Sequence, residues 1–365
     1  MSRRRGNGEG TVRRRGDGRW EARYRDATGL RKSVFGKTQA DVLAKLKAAR
    51  NDRDLGLPAR SERLTTAAYL TKWIDGARVN VRPTTAIRYE GLIRRHLIPR
   101  LGRIPLARLS AQDLGRCYAG MIGEGLAPRT AGHAHRVLGR ALRDAEASGL
   151  VVRNVARLTR APRVPYQEMH ALSIDEAHRL IEAAHGDRLE ALVVLALSTG
   201  AREGELLALR WSDVDLDAGV VRIQRTLLRT PTGLTFAEPK TASSRRSIPI
   251  GRATVAALRA HRQRQATERL TDLAFANTLG GPVNAGEMLR AFYALLTRAG
   301  LPRVRFHDLR HTAATLMLGA GVHAKIVAER LGHSTPMLTL TVYSHVTPTM
   351  QRAAADELDA VLSRP

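Results

Sequence analysis

The chain of 365 residues contains one cysteine, Cys117, and few aromatic rings, with Phe, Trp and Tyr together at 4%. A lone cysteine excludes an intramolecular disulfide and any metal site built from several thiolates. In the run around Leu114 and Tyr118 it is expected to be a small buried apolar group. The shortage of rings argues against a surface that binds single strands by stacking bases on aromatics. Acidic residues are scarce too: 34 against 60 lysines and arginines, a formal net charge of +26. That imbalance asks for a polyanionic partner, nucleic acid first, and duplex binding through phosphates fits best. A membrane surface is the rival, but no basic amphipathic helix stands out and no apolar run is long enough to span a bilayer. Arg3-Arg4-Arg5 is followed by Gly-Asn-Gly, not by an apolar stretch, which reads against a secretory signal. A cytoplasmic protein associated with the chromosome is expected.

What is present divides into parts. Residues 1–10 are basic and glycine-rich. From 10 to 38, turns at Gly16-Asp17-Gly18 and Asp26–Gly29 separate short strands, with Trp20, Ala22 and Tyr24 alternating against charged neighbours. Thr38 caps an expected helix to about Asp54, with Ala40, Leu43, Leu46 and Lys47 at helical spacing. Residues 55–63 read as a linker, and 64–156 as a four-helix bundle. In that bundle Leu70, Trp73 and Ile74 begin an apolar face. Pro83 opens a helix that Pro99 and Gly102 close, Ser110 caps the next, and Pro128 opens the last, which Gly149 ends. Residues 157–170 hold two prolines and little periodicity, a second linker, and 171–365 form the last domain. There Ser173 with Glu176 makes a capping box, Leu189–Ser198 is an apolar helix broken by Thr199-Gly200, and the stretch from Trp211 to about Ile250 has strand character. The strands expected are VVRIQRTL, LTFAEPK and SSRRSIPI; helices follow from 254 to 270 and from 288 to 299. The fold class expected is multidomain and mainly α with small β-sheets: a three-stranded sheet plus helix (1–54), a helical bundle (64–156) and a mixed α+β domain (171–365).

The chemistry concentrates in residues 305–346, RFHDLRHTAATLMLGAGVHAKIVAERLGHSTPMLTLTVYSHV. His307 and Arg310 share a helix face, His333 follows a helix end at Leu331-Gly332, and Tyr343 lies ten residues later. Apolar Ala314, Leu316, Leu318, Ile326, Val327 and Leu331 are expected to face inward and turn the polar groups toward one pocket. A tyrosine is a covalent nucleophile, arginines grip phosphate in bidentate fashion, and histidine donates a hydrogen bond or shuttles a proton. Together they suit attack on a phosphodiester whose developing charge is held by fixed cations, without a metal. His307 and His311, four apart, could ligate a metal, but no glutamate follows the first histidine and no third ligand is evident; no metal and no cofactor are expected.

HDLRH, LGHS and VYSH resemble the C-terminal signature of the tyrosine recombinase, or phage integrase, family. Two upstream parts of that signature are matched: a first arginine in a TGxRxxEL context, here STGAREGELLALRWSDVDLD with Arg202, and a hairpin lysine, here Lys240 in EPKTASSRRSIPI. The resemblance implies that Arg202, Arg310, His333 and His307 hold the scissile phosphate. Tyr343 attacks it to form a 3′-phosphotyrosyl link, and Lys240 protonates the leaving 5′ oxygen. Glu205, three residues after Arg202, would orient that guanidinium; its bland reading is a surface ion pair worth under about 1 kcal/mol. The resemblance also implies an arm-type DNA-binding domain at the front, with Arg13, Arg15, Arg23 and Arg25 near the major groove. In the bundle, Arg88, Arg94, Arg95, Arg129, His135 and Arg136 would meet backbone phosphates. It implies double-stranded attachment sites as substrate, DNA passing between the flanking domains, and a homotetramer joined through a C-terminal tail helix around Leu358, Val361 and Leu362; packing of that helix back on its own domain is the equal alternative. A host DNA-bending protein or an excisionase would assist, and the outcome is integration or excision of a mobile element. Two other readings stay open: a type IB topoisomerase-like enzyme, disfavoured by the arm-type front, and a non-catalytic DNA-binding regulator, disfavoured by the complete set of six site residues.

Overall fold

In the computed structural model the described residues are 11–26, 29–54, 64–165, 170–230, 233–239, 244–268 and 271–332, with scattered positions from 352 to 363. The chain divides into two compact units, Met1–Tyr166 and Gln167–Pro365.

The first unit opens with a three-stranded antiparallel sheet of β1 (Thr11–Arg14), β2 (Trp20–Arg25) and β3 (Arg31–Gly36), followed by α1 (Gln39–Asp54). Alternation on β2 decides the faces: Ala22 and Tyr24 are buried against Val42 and Leu46 of α1, and Trp20 packs beside them. Thr38 caps α1 through a hydrogen bond from the Asp41 N–H to its hydroxyl, 3.1 Å. Leu43, expected inward, is 46% exposed instead. The helix turns Val42, Leu46 and Ala49 to the sheet, and three such residues already cover this small face.

Next come α2 (Thr66–Ala77), α3 (Pro83–Leu92), α4 (Ile98–Leu101), α5 (Ala111–Gly123) and α6 (Pro128–Ala147), around a separate core of Leu70, Ile74, Leu97, Leu114, Met121 and Leu138. Cys117 is buried there, and burial pushes its thiol up to about 11. Ser110 and Asp113 form a capping box on α5. Pro99 does not close its helix. A π-turn over Ile93–Leu97 joins α3 to α4, and the Ile98 N–H bonds the Ile93 carbonyl five residues back. The extra residue in that turn lets a helix run past a proline that lacks an N–H, and the helix ends at Gly102.

The second unit holds α7 (Ile174–Ala184), α8 (Glu190–Thr199) and α9 (Glu203–Leu206). After these come β4 (Val214–Asp215), β5 (Val220–Ile223), β6 (Thr226–Thr230), β7 (Gly233–Ala237) and β8 (Arg246–Pro249), then α10 (Arg252–Glu268), α11 (Ala285–Arg298), α12 (Asp308–Gly319) and α13 (Ala324–Leu331). The capping box of Ser173 and Glu176 opens α7. The segment VVRIQRTL is not one strand. It breaks at Gln224-Arg225 into β5, in a β4-β5-β8 sheet, and β6, in a β6-β7 hairpin. Gly204 shows why β6 turns away: a Cβ there would lie 2.7 Å from the Thr226 hydroxyl and 2.8 Å from the Leu227 carbonyl, so β6 runs directly against α9. The strands before and after Lys240 therefore belong to different sheets, β8 returning to pair with β5. Phe292, Leu295, Phe306 and Leu309 close the main core, and Ala314, Leu318, Val327 and Leu331 form a second cluster between α12 and α13. Ile326 is 56% exposed and is not part of that face. Among the described residues no helix is long and apolar enough to cross a membrane.

Candidate active site

Two helix ends build the site. α8 stops at Gly200, left-handed at φ 61°, and α13 stops at Gly332, left-handed at φ 69°. The first position favours glycine, because its left-handed φ strains any side chain and a Cβ there would also press on Leu331 Cδ2 at 2.3 Å. Helix C-terminal carbonyls carry the negative end of the backbone dipole and attract cations. Each of these two caps takes a motif arginine: Arg310 Nη1 donates to the Gly200 carbonyl at 2.8 Å, and Arg202 Nη2 to the Gly332 carbonyl at 3.3 Å. Gly200 lies two residues before Arg202, and Gly332 directly precedes His333. Motif parts far apart in sequence are thereby joined by backbone carbonyls.

Arg202 stands at the N-terminus of α9. Its backbone N–H and Nη1 both donate to Glu205, at 3.0 and 2.7 Å. Glu205 is buried, so the bland reading of a surface ion pair does not hold. Its other partner, which the sequence reading missed, is Arg246, whose Nη2 donates to Glu205 Oε2 at 2.8 Å. Burial alone would raise the Glu205 pKa; Arg246 first, and Arg202 after it, hold it below the ordinary carboxylate value. A signal for Arg246 was present in SSRRSIPI. Period-two alternation puts Arg246 on the inward face with Ile248, opposite Ile223 and Val221 of β5. An inward-facing arginine on a core strand requires a buried acceptor.

Arg310 is buried on α12, and His307 stands at the start of that helix. Desolvation first, then the charge of Arg310, lowers the His307 pKa; Arg305 and Arg202 add to this and Asp308 opposes it. The shift favours the neutral imidazole near pH 7. His311 packs edge-on against His307, ring centroids 5.4 Å apart, and burial pushes its pKa down to about 4. Asp308 is held by the Arg305 backbone and guanidinium, while the Thr312 hydroxyl bridges the Asp308 carbonyl and the Leu172 N–H. Among the described residues no group of three or more His, Cys, Asp or Glu is placed to hold a metal. Of the six expected catalytic residues, Arg202, His307 and Arg310 are gathered here. Lys240, His333 and Tyr343 lie outside the described residues, as do Leu358 and Val361 of the expected tail helix.

The other cations expected at DNA are distributed as follows. Arg13 and Arg23 lie on the sheet face away from α1, both bonded to Glu21; Arg15 stacks over Phe35 and Arg25 bonds the Gly29 carbonyl. In the bundle, Arg88 contacts His133, and Arg94 pairs with Glu90 at 2.8 Å, while Arg95, Arg129 and Arg136 are exposed. His135 is half-buried, its ring 3.2 Å from the Tyr118 hydroxyl.

The chain matches the model of the phage integrase family over residues 170–350 and that of the phage integrase N-terminal SAM-like domain over 65–121. An integrase of Streptomyces ambofaciens is 30% identical over 367 residues, covering 93% of this chain and 92% of that protein. The chain belongs to the phage integrase family. A tyrosine recombinase XerC-like protein of Caldanaerobacter subterraneus subsp. tengcongensis is 29% identical over 92% of this chain and 93% of its own length. Among solved structures, the Tn1549 transposon integrase in complex with transposon right end DNA superposes with a TM-score of 0.72 at 25% identity, covering 81% of this chain and 99% of that one. A lambda integrase tetramer bound to a Holliday junction shares the fold, with a TM-score of 0.63 at 22% identity over 93% of this chain and 96% of that one. The protein is a site-specific DNA recombinase of the tyrosine type, a mainly helical enzyme with small antiparallel sheets.

Proposed function

We propose that the recombinase cuts duplex DNA by attack of Tyr343 on a phosphate gripped by Arg202, Arg310 and His333, with His307 beside them. The observation that carries this reading is the pair of motif arginines fixed to the two glycine caps, both close enough for their charges to act on His307. Cations held by backbone carbonyls and a buried carboxylate need no reorganisation when charge develops on phosphorus, which is the efficient form of electrostatic catalysis. A neutral His307 can donate one hydrogen bond to a phosphoryl oxygen and keep its second nitrogen as an acceptor. Lys240 gives its proton to the departing 5′ oxygen, leaving a 3′-phosphotyrosyl link. A 5′ hydroxyl from the partner duplex then attacks that link. Because the bond is conserved in the covalent intermediate, strand exchange proceeds without ATP or a metal.

The partners follow the same reading: double-stranded attachment sites, a homotetramer on DNA joined through the C-terminal tail, and a host DNA-bending protein or excisionase. Residues 1–54 are an arm-type DNA-binding domain, 64–156 the core-binding domain and 171–365 the catalytic domain, joined by linkers at 55–63 and 157–170. The arginines at 13, 15, 23, 25, 88, 94, 95, 129 and 136 are the proposed phosphate and groove contacts. The site of action is the cytoplasm, on the DNA that carries the mobile element. The test is covalent trapping: nicked duplexes carrying attachment sequence, incubated without divalent metal and then denatured. A protein–DNA adduct is expected from the parent chain and from neither Tyr343→Phe nor Arg202→Ala. Tight binding of cognate DNA with no adduct would establish a DNA-binding regulator instead.

A further inference from the structure

We infer that Arg246 is a positioning residue for cleavage, holding Arg202 and the end of α13 in one frame. This rests on the catalytic reading of Arg202 above. The guanidinium of Arg246 uses all three of its nitrogens: Nη2 to Glu205 at 2.8 Å, Nε to the Arg330 carbonyl at 2.7 Å, and Nη1 to the Ser244 carbonyl at 3.0 Å. Arg202 answers from the other side, bonding Glu205 through Nη1 and the Gly332 carbonyl through Nη2. The two arginines therefore share one carboxylate and take two carbonyls of the same helix end, two residues apart. The bonds close a ring: Arg202, Glu205, Arg246, the Arg330 carbonyl, then along the backbone to the Gly332 carbonyl and back to Arg202.

Arg330 itself points elsewhere, its Nη2 donating to the Ser198 and Pro249 carbonyls at 2.9 and 2.8 Å, so it pins the end of α8 and the end of β8 to the same helix. The charged groups facing Glu205 are thus Arg246 from β8 and Arg202 from its own segment, with α13 contributing carbonyls and the turned-away Arg330. Arg246 is 7% exposed at its side chain, against 39% for Arg202. One is a buried post and the other faces the substrate side. Without Arg246 the Glu205 carboxylate keeps its burial and loses its strongest stabilising neighbour. Its pKa would then rise, and a protonated Glu205 holds Arg202 less firmly.

The experiment measures single-turnover adduct formation on a nicked attachment duplex from pH 6 to 8.5, with duplex binding followed separately, for the parent, Arg246→Met and Arg246→Lys in the full chain. Arg246→Met is expected to bind DNA within about threefold of the parent and to form adduct about a hundredfold more slowly at pH 8, the scale of a small displacement at a reacting centre. Its rate should fall further toward pH 6, more steeply than the parent's. Arg246→Lys, which can reach one acceptor but not three, should recover part of the rate and remove most of that added steepness. If Arg246→Met does not fold, Arg246→Lys carries the test through its rate alone, expected about tenfold below the parent. An active parent whose Arg246 variants cleave within about threefold at every pH overturns the positioning role. A parent that binds and never forms adduct overturns the catalytic reading and this role together.

Discussion

Glu21 and Glu205 each sit between two arginines. On the N-terminal sheet, Glu21 accepts from Arg13 and Arg23 and from the Ser33 hydroxyl; its side chain is 5% exposed while both arginines are 52% exposed. In the second unit Glu205 accepts from Arg202 and Arg246, with the carboxylate 3% exposed and Arg246 nearly as covered. The hydrogen bond from Arg23, then that from Arg13, pulls the Glu21 pKa to about 2, so both carboxylates stay ionised in use. The difference lies in what the arginines are left free to do. Around Glu21 they are steered but remain open to a large external partner. Around Glu205 one of them is consumed as structure so that the other points in one direction. A carboxylate shared by two arginines can thus be a presenting device or a locking device, and burial of the cations decides which.

The contrast is broken most strongly at Glu205. Glu205→Ala leaves Arg246 buried without its anion and is expected to lower the stability of the full chain by about 3 kcal/mol in urea unfolding, since removing one partner of a buried pair strands the other. Adduct formation should fall at least a hundredfold. An unfolding midpoint within error of the parent would show that Arg246 finds other acceptors and that the lock is not where its burial places it. A smaller effect belongs to His311. Its pKa in the folded chain, about 4, lies below the ordinary 6.5, so the unfolded chain binds more protons between those values. That contribution to stability is complete above pH 6.5 and is lost as pH falls toward 4. His311→Gln is therefore expected to lose less stability than the parent between pH 7 and pH 5; equal losses would place the pH sensitivity elsewhere. The smallest effect is expected at Glu21. Glu21→Gln removes one negative charge from an arginine-bearing face, should lower the urea midpoint modestly because the ionised carboxylate is lost while its two arginines can turn to solvent, and should strengthen non-specific duplex binding a few-fold with a steeper dependence on salt. Weaker binding would mean that orientation of Arg13 and Arg23, rather than their charge, governs that face.

Much of this was legible along the chain. Capping residues and glycine ends are local, so Thr38, Ser110, Ser173 and the breaks at Gly200 and Gly332 could be placed from short stretches alone. Other elements could not. The passage of a helix through Pro99 depends on a π-turn four residues earlier, and the division of VVRIQRTL between two sheets depends on α9 pressing against β6. Leu43 and Ile326 fit a helical period and still face solvent, because period fixes spacing along a helix and not which of two adjacent stripes finds a partner.

The sequence by itself determined the fold class, the family and the residue types of the reaction, because each was written in short motifs whose order survives without coordinates. The tertiary structure alone decided that Glu205 is buried, that Arg246 rather than solvent shares it, and that the two glycine caps are the anchors of Arg202 and Arg310. Those are contacts between residues up to 130 positions apart. Charge, period and spacing report what a residue can bond, and only the packed chain sets which acceptor lies within hydrogen-bonding reach of it.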